Sequence, residues 1–97
     1  MASMSDMLRN FVKDTTENIV DKPEDVDVKA TVSTKAIIIQ VRVHDRDCGK
    51  IIGRRGRTID ALKVLCLATK NTQYPNDSRR VMLEVLEDEN TQFNYNQ

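Results

Sequence analysis

The chain has few of the residues that build metal or disulfide sites. It contains two cysteines and one histidine in 97 residues. Cys48 and Cys66 lack C-x-x-C spacing, and His44 does not complete a plausible set of zinc ligands. We therefore expect no metal and no cofactor, and the isolated cysteines favour a reducing compartment, the cytoplasm.

Long apolar runs are also missing. No stretch approaches the roughly 20 consecutive apolar residues of a membrane-spanning helix, and no apolar signal-peptide region follows Met1. We therefore expect a protein that is neither exported nor membrane-spanning. A length of 97 residues, with 39% hydrophobic and 31% charged residues, is typical of one small globular domain.

The patterns of nucleotide-dependent enzymes are absent too. Gly53 and Gly56 do not begin a G-x-x-x-x-G-K-[ST] sequence, because Arg57 and Thr58 follow, and no G-x-G-x-x-G is present. No carboxylate pair or nucleophile–base pair stands out, and His44 has no acid or nucleophile at a recognisable spacing. We expect neither an enzyme nor a small-molecule substrate.

The charges are balanced in total but not along the chain. Residues 1–41 hold five basic and seven acidic residues, residues 42–80 hold ten and four, and residues 81–97 hold none and four. The net charges are therefore −2, +6 and −4. Screening limits the reach of each charge to about 8–10 Å at cellular salt, so a basic patch in residues 42–80 is able to bind phosphate in a neutral molecule.

Apolar periodicity predicts an α+β fold in the order α-β-β-α-α-β. The first helix is capped by Ser5-Asp6 and ended by Lys22-Pro23, and Asp45 caps the short second helix. The expected architecture has two layers, a three-stranded mixed sheet with three helices on one face, and its last strand runs parallel to a neighbour after a right-handed crossover. The predicted helices are 5–20, about 45–52 and 57–70; the strands are 26–33, 36–43 and 79–87; and the loop is 71–78.

The segment IIGRRGRTI, residues 51–59, carries the most specific pattern. An apolar pair, G-x-x-G and a further apolar residue resemble the KH domain, and the element order resembles its type II form. Together with DKPEDVDV and RRVMLEVLE, the segment resembles the KhpA-like family of small bacterial single-KH RNA-binding proteins. The resemblance implies one KH domain over residues 5–88, with an N-terminal extension at 1–4 and a polar, disordered tail at 89–97.

The chemistry of this segment agrees with the resemblance. Two glycines three residues apart let backbone amides approach a ligand, and the start of the following helix attracts phosphate. The resemblance implies that the G-x-x-G loop clamps about four single-stranded nucleotides. It also implies a variable loop at 71–78, in which Tyr74 either stacks on a base or packs within the loop. The predicted RNA-binding residues are Gly49, Lys50, Ile52, Gly53, Arg54, Arg55, Gly56, Arg57, Ile59 and Lys63.

Two questions stay open from the sequence. Ile51 and Ile52 do not both face a ligand, since at least one belongs to the core, and Ile59 is equally suited to core or groove. Helical spacing places Ile59, Leu62, Leu65 and Cys66 towards the sheet and Leu67 opposite them, with Val64 at the margin. Val64 and Leu67 are therefore candidates for a dimer contact, and the resemblance implies a homodimer or a heterodimer with a second KH protein.

Two functions fit these observations. The first is a non-catalytic binder of single-stranded RNA that acts as an RNA chaperone or post-transcriptional regulator. Because phosphate contacts carry no base information, Arg54 and Arg55 together predict weak sequence preference. The alternative is a dimerisation adaptor, working as a homodimer or with a second KH protein and touching RNA only incidentally.

Overall fold

The computed structural model describes residues 3–86. Its order of helices and strands is the predicted one, and the predicted tail at 89–97 lies outside the described residues. No helix among the described residues is both long and apolar enough to cross a bilayer. The elements are α1 (Met4–Ile19), β1 (Asp27–Val32), β2 (Ala36–Arg42), α2 (Cys48–Ile52), α3 (Arg57–Gln73) and β3 (Arg80–Leu86).

Helix α1 begins one residue earlier than predicted. The Ser3 side chain accepts a hydrogen bond from the backbone N–H of Asp6 at 3.2 Å, so Ser3, not Ser5-Asp6, is the N-cap. The helix ends at Ile19, before Lys22-Pro23, because Val20 is already extended. Its apolar stripe follows a four-residue spacing and is buried at Met4, Leu8, Val12 and Thr16.

The sheet has the order β1-β2-β3, with β2 in the centre as predicted. β1 pairs with β2 antiparallel, and β3 pairs with β2 parallel, which confirms the crossover inferred from the two intervening helices. The register places Ile39 between Ala30 and Leu83. Since alternate residues of a strand point to opposite faces, this register aligns one buried face across all three strands.

That buried face carries the core. Ile37, Ile39 and Val41 have no exposed surface, whereas their neighbour Ile38 is partly exposed. From α3, the buried apolar residues are Ile59, Leu62 and Cys66. The predicted placement of Leu65 towards the sheet is wrong, because Leu65 is 51% exposed on the flank of the helix.

A buried carboxylate joins the end of α1 to the start of α2. Asp47 is 1% exposed, and its two oxygens accept hydrogen bonds from the backbone N–H groups of Asp21 and Lys22 at 3.2 and 3.1 Å. The turn before α2 is a 3₁₀ turn over Asp45–Asp47, and His44 Nδ1 accepts from the N–H of Arg46 at 3.1 Å. His44 therefore provides the cap that the sequence assigned to Asp45.

Candidate nucleic-acid interface

The segment Gly53–Gly56 forms a tight turn between α2 and α3, here called the GXXG loop. Gly53 and Gly56 both have φ of +74°, in the left-handed region that favours glycine. A Cβ on Gly53 would also collide with Thr58 Oγ1 and lie 2.7 Å from Thr58 Cβ. Backbone conformation and lack of space both require glycine at position 53.

The loop ends at the start of a long helix. Helix α3 has 17 residues, and its N-cap, Gly56, has no side chain to bond the first backbone N–H groups. These groups and the helix dipole attract an anion. Gly56 is itself buried, and the N–H groups of Gly56 and Arg57 donate to the carbonyl oxygens of Gly53 and Arg54, so the N–H groups that lack a partner belong to the residues after Arg57.

The arginines around this helix start are free to contact a ligand. Arg54, Arg55 and Arg57 are all exposed, and none forms an ion pair with another residue of the described range 3–86. Arg55 has a φ of +57°, which is uncommon for a residue with a side chain. The GXXG loop thus combines a helix start that has no side-chain cap with exposed positive charges that no carboxylate of the described residues neutralises.

Lys50 is placed differently from the arginines. Its Nζ forms an ion pair with Asp21 and lies 4.0 Å from Asp47 Oδ1. Two carboxylates therefore compete with phosphate for this lysine, and its contact with RNA stays a prediction. Gly49 is exposed, with open space where a Cβ would stand.

The isoleucines lie beneath the loop. Ile51, Ile52 and Ile59 are 0%, 3% and 1% exposed. The prediction that at least one of Ile51 and Ile52 belongs to the core is confirmed, since both do. Ile52 and Ile59 expose almost no surface to a base here, so their direct contact with RNA also stays a prediction.

A cavity of about 470 Å³ lies between α3 and the start of β3, and we call it the α3–β3 cavity. Leu67 and Met82, which are 44% and 42% exposed, give it apolar surface. Lys63 and Arg80 add positive charge, and neither has an ion-pair partner among residues 3–86. Leu67, predicted for a dimer contact, thus lines a cavity that also contains the predicted RNA-binding residue Lys63.

Asp77 and Arg79, in the loop before β3, line one side of this cavity and bind each other. The carboxylate of Asp77 accepts hydrogen bonds from Arg79 Nε and from an Arg79 terminal nitrogen, the latter at 2.6 Å. These bonds lower the pKa of Asp77 from 3.8 to about 2 and raise that of Arg79. Tyr74 in the same loop is half-buried and packs against the core. The loop is therefore shaped by internal contacts.

Comparison with known proteins decides the family. A family model described as "KhpA/KhpB, KH domain" matches residues 9–85. This chain belongs to the KhpA/KhpB KH-domain family. It is 38% identical over 85 residues to a protein of Chlamydia caviae, 39% over 82 to one of Leifsonia xyli and 37% over 81 to one of Chlamydia trachomatis. Each is named RNA-binding protein KhpA.

These alignments extend over nearly complete proteins. They cover 88%, 84% and 84% of this chain and 99%, 100% and 99% of the three relatives. No solved structure matches. The KhpA/KhpB family is not one of known enzymes, in agreement with the prediction from the sequence.

The KhpA/KhpB match includes cavity residues that the sequence did not single out. Arg80, Met82 and Lys70 are not among the predicted RNA-binding residues, although all three line the cavity. The signal for Met82 was present, because it alternates with the buried Val81 and Leu83 and must leave the core face. Lys70 follows Leu62 and Cys66 at the same four-residue spacing, but lysine is rarely buried, so its charge argued against a place on the inner face.

Proposed function

We propose that this KH domain binds single-stranded RNA without catalysing a reaction. The observation that carries the proposal is the GXXG loop, where two glycines of positive φ form a tight turn before α3. The start of α3 has no side-chain cap and lies beside three arginines without carboxylate partners in the described range. A helix N-terminus and arginine side chains both favour phosphate.

Binding to the phosphate backbone fits the chemistry of this loop. Arg54, Arg55 and Arg57 present guanidinium groups, which bind phosphate oxygens in a bidentate manner. The glycines allow the backbone itself to approach the strand. Since phosphate is the same at every nucleotide, we infer affinity with weak sequence preference and strong dependence on salt.

The α3–β3 cavity supports a place for a base. Leu67 and Met82 offer apolar surface to a ring, while Lys63 and Arg80 stand beside it for the adjoining phosphate. KH domains bind single strands, whose unstacked bases are accessible. A single unstacked base is able to enter a cavity of this size, whereas the paired bases of a duplex are not. With four aromatic residues in the chain, stacking contributes little.

The names of the relatives also support RNA binding. Proteins named RNA-binding protein KhpA align with this chain over nearly their whole length. We infer that this chain acts on RNA as a chaperone or post-transcriptional regulator in the cytoplasm.

The proposal is tested by fluorescence anisotropy with a labelled single-stranded RNA of mixed sequence. The variant Arg54→Asp/Arg55→Asp is compared with Lys29→Asp/Lys35→Asp, which makes the same charge change at two exposed positions on and beside β1. We expect at least a tenfold loss for the first and a small loss for the second. A folded Arg54→Asp/Arg55→Asp variant with wild-type affinity would contradict the site.

A second candidate function is pairing with another KH protein or with a second copy of the chain. It is favoured by the outward surface of α3, where Val64 and Leu65 are 64% and 51% exposed. Sedimentation velocity of Val64→Glu and of Leu67→Glu tests it. A wild-type dimer that persists in both variants would exclude this helix as the contact, and a monomeric wild type would exclude self-pairing.

A further inference from the structure

The chain continues past β3 with an acidic and aromatic segment, residues 87–97, here called the acidic tail. Its sequence, EDENTQFNYNQ, contains Glu87, Asp88 and Glu89 and no basic residue. Phe93 and Tyr95 in this segment are two of the four aromatic residues of the whole chain. The tail thus carries negative charges followed, a few residues later, by planar rings.

The RNA interface offers the complementary groups. Arg54, Arg55 and Arg57 have no carboxylate partner within residues 3–86, although the chain as a whole has as many acidic as basic residues. The α3–β3 cavity adds apolar surface from Leu67 and Met82. Positive charge attracts the phosphate of a nucleotide, and apolar surface accommodates its base. The same two surfaces suit a carboxylate and an aromatic ring.

The tail is attached within reach of both parts of this interface. β3 is an edge strand that begins at the cavity with Arg80 and ends at Leu86, about 20 Å away at the usual rise per residue. Helix α2, which leads directly into the GXXG loop, packs against β3. In an extended chain Glu87, Asp88 and Glu89 lie within about 10 Å of Leu86, and Phe93 and Tyr95 lie about 23–32 Å from it, which covers the distance back to the cavity. Contact with the GXXG loop or a return along β3 therefore needs no rearrangement of the fold.

We propose that the acidic tail binds the domain's own RNA interface and competes with RNA. The carboxylates of Glu87, Asp88 and Glu89 pair with the loop arginines, and Phe93 or Tyr95 enters the α3–β3 cavity. Tethering gives the tail an effective concentration of order millimolar, so weak contacts suffice. An RNA that contacts only the arginines is displaced, while one that also fills the cavity is retained. The competition between the tail and RNA rests on the proposed function, whereas the contact between the tail and the domain does not.

The test uses the full chain with neutralised tail carboxylates, Glu87→Gln/Asp88→Asn/Glu89→Gln. The matched control, Asp14→Asn/Glu24→Gln/Asp25→Asn, raises the net charge equally at exposed positions on α1 and the turn after it. Anisotropy with single-stranded RNA at low salt should show affinity about fivefold higher for the tail variant, the effect of three solvent-screened ion pairs. The control should show a smaller gain, and both gains should vanish at high salt.

A second measurement works without RNA. Amide ¹⁵N–¹H spectra of the wild type and the tail variant should differ at Gly53, Gly56 and Arg80, whereas the control variant should leave these signals in place. Equal affinities of tail and control variants together with unchanged signals overturn the tail proposal. If no variant binds RNA, the proposed function fails, and shifted signals then still establish the intramolecular contact.

Discussion

Lys70 Nζ donates a hydrogen bond to the carbonyl oxygen of Asp77 at 2.5 Å, although Lys70 is only 2% exposed. A buried ammonium is costly unless it is hydrogen-bonded. The bond therefore links the last turns of α3 to the loop before β3, which lines the α3–β3 cavity.

Lys70→Met should destabilise the domain more than the same change at Lys63. The methionine keeps the apolar stem but removes the charged donor, and a hydrogen bond from a charged group contributes about 1.5–3 kcal/mol. Lys63 is exposed, so Lys63→Met should change the free energy of unfolding by less than about 0.5 kcal/mol. Urea unfolding measures both, and equal stabilities of the two variants would show that the bond to Asp77 contributes nothing.

Gly53→Ala should damage both the fold and RNA binding. The φ of +74° and the collision with Thr58 strain any larger residue, at a cost of about 1–3 kcal/mol. Gly49→Ala is the control, because Gly49 lies in α2 with open space around it and alanine favours helix by about 1 kcal/mol. Urea unfolding and RNA anisotropy measure the two effects. A Gly53→Ala protein as stable as Gly49→Ala would contradict the requirement for glycine.

The ion pair of Asp77 and Arg79 should make stability depend on pH in acid. The folded pKa of Asp77 is lowered from 3.8 to about 2 by hydrogen bonds from Arg79, so its contribution is complete above the unfolded pKa. It is then lost as the pH falls through 3.8 towards 2. The difference in urea midpoint between wild type and Asp77→Asn should be constant above about pH 5 and shrink below it. A difference that is the same at pH 2 and pH 6 would refute this.

The thiol of Cys66 should react slowly in the native protein. Burial raises its pKa from 9.0 to about 11, which lowers the thiolate fraction about a hundredfold near neutral pH. Alkylation by iodoacetamide at pH 8, followed by mass spectrometry of the Cys66 peptide, should proceed at least that much faster in urea than in buffer. Similar rates in the two conditions would mean that the core of α3 opens readily.

Sequence pattern predicted the features that follow from local geometry. Ile37, Ile39 and Val41 were assigned to one face because strand residues alternate, and the register confirms this. The turn at Gly53 and Gly56 was foreseen because glycine spacing reflects backbone conformation directly. Such features depend on residues close in sequence.

Contacts between distant residues were not predictable in this way. Lys50 was counted with the basic patch, but its partner Asp21 belongs to the end of α1. Leu65 was assigned to the core from its angle around the helix, but the buried residues of α3 are Ile59, Leu62, Cys66 and Lys70. Which side of α3 faces inward depends on how the helix crosses the sheet, and no local spacing contains that information.

The two hydrogen bonds from Asp21 and Lys22 to Asp47 give the domain internal reporters of its dynamics. The amide protons of Asp21 and Lys22 exchange with solvent only when Asp47 leaves them, and Asp47 immediately precedes α2 and the GXXG loop. Slow exchange at these two positions would mean that α2 and the GXXG loop open only together with the end of α1. The segment that begins at Asp47 and a helix end 25 residues earlier in the chain then behave as one cooperative unit.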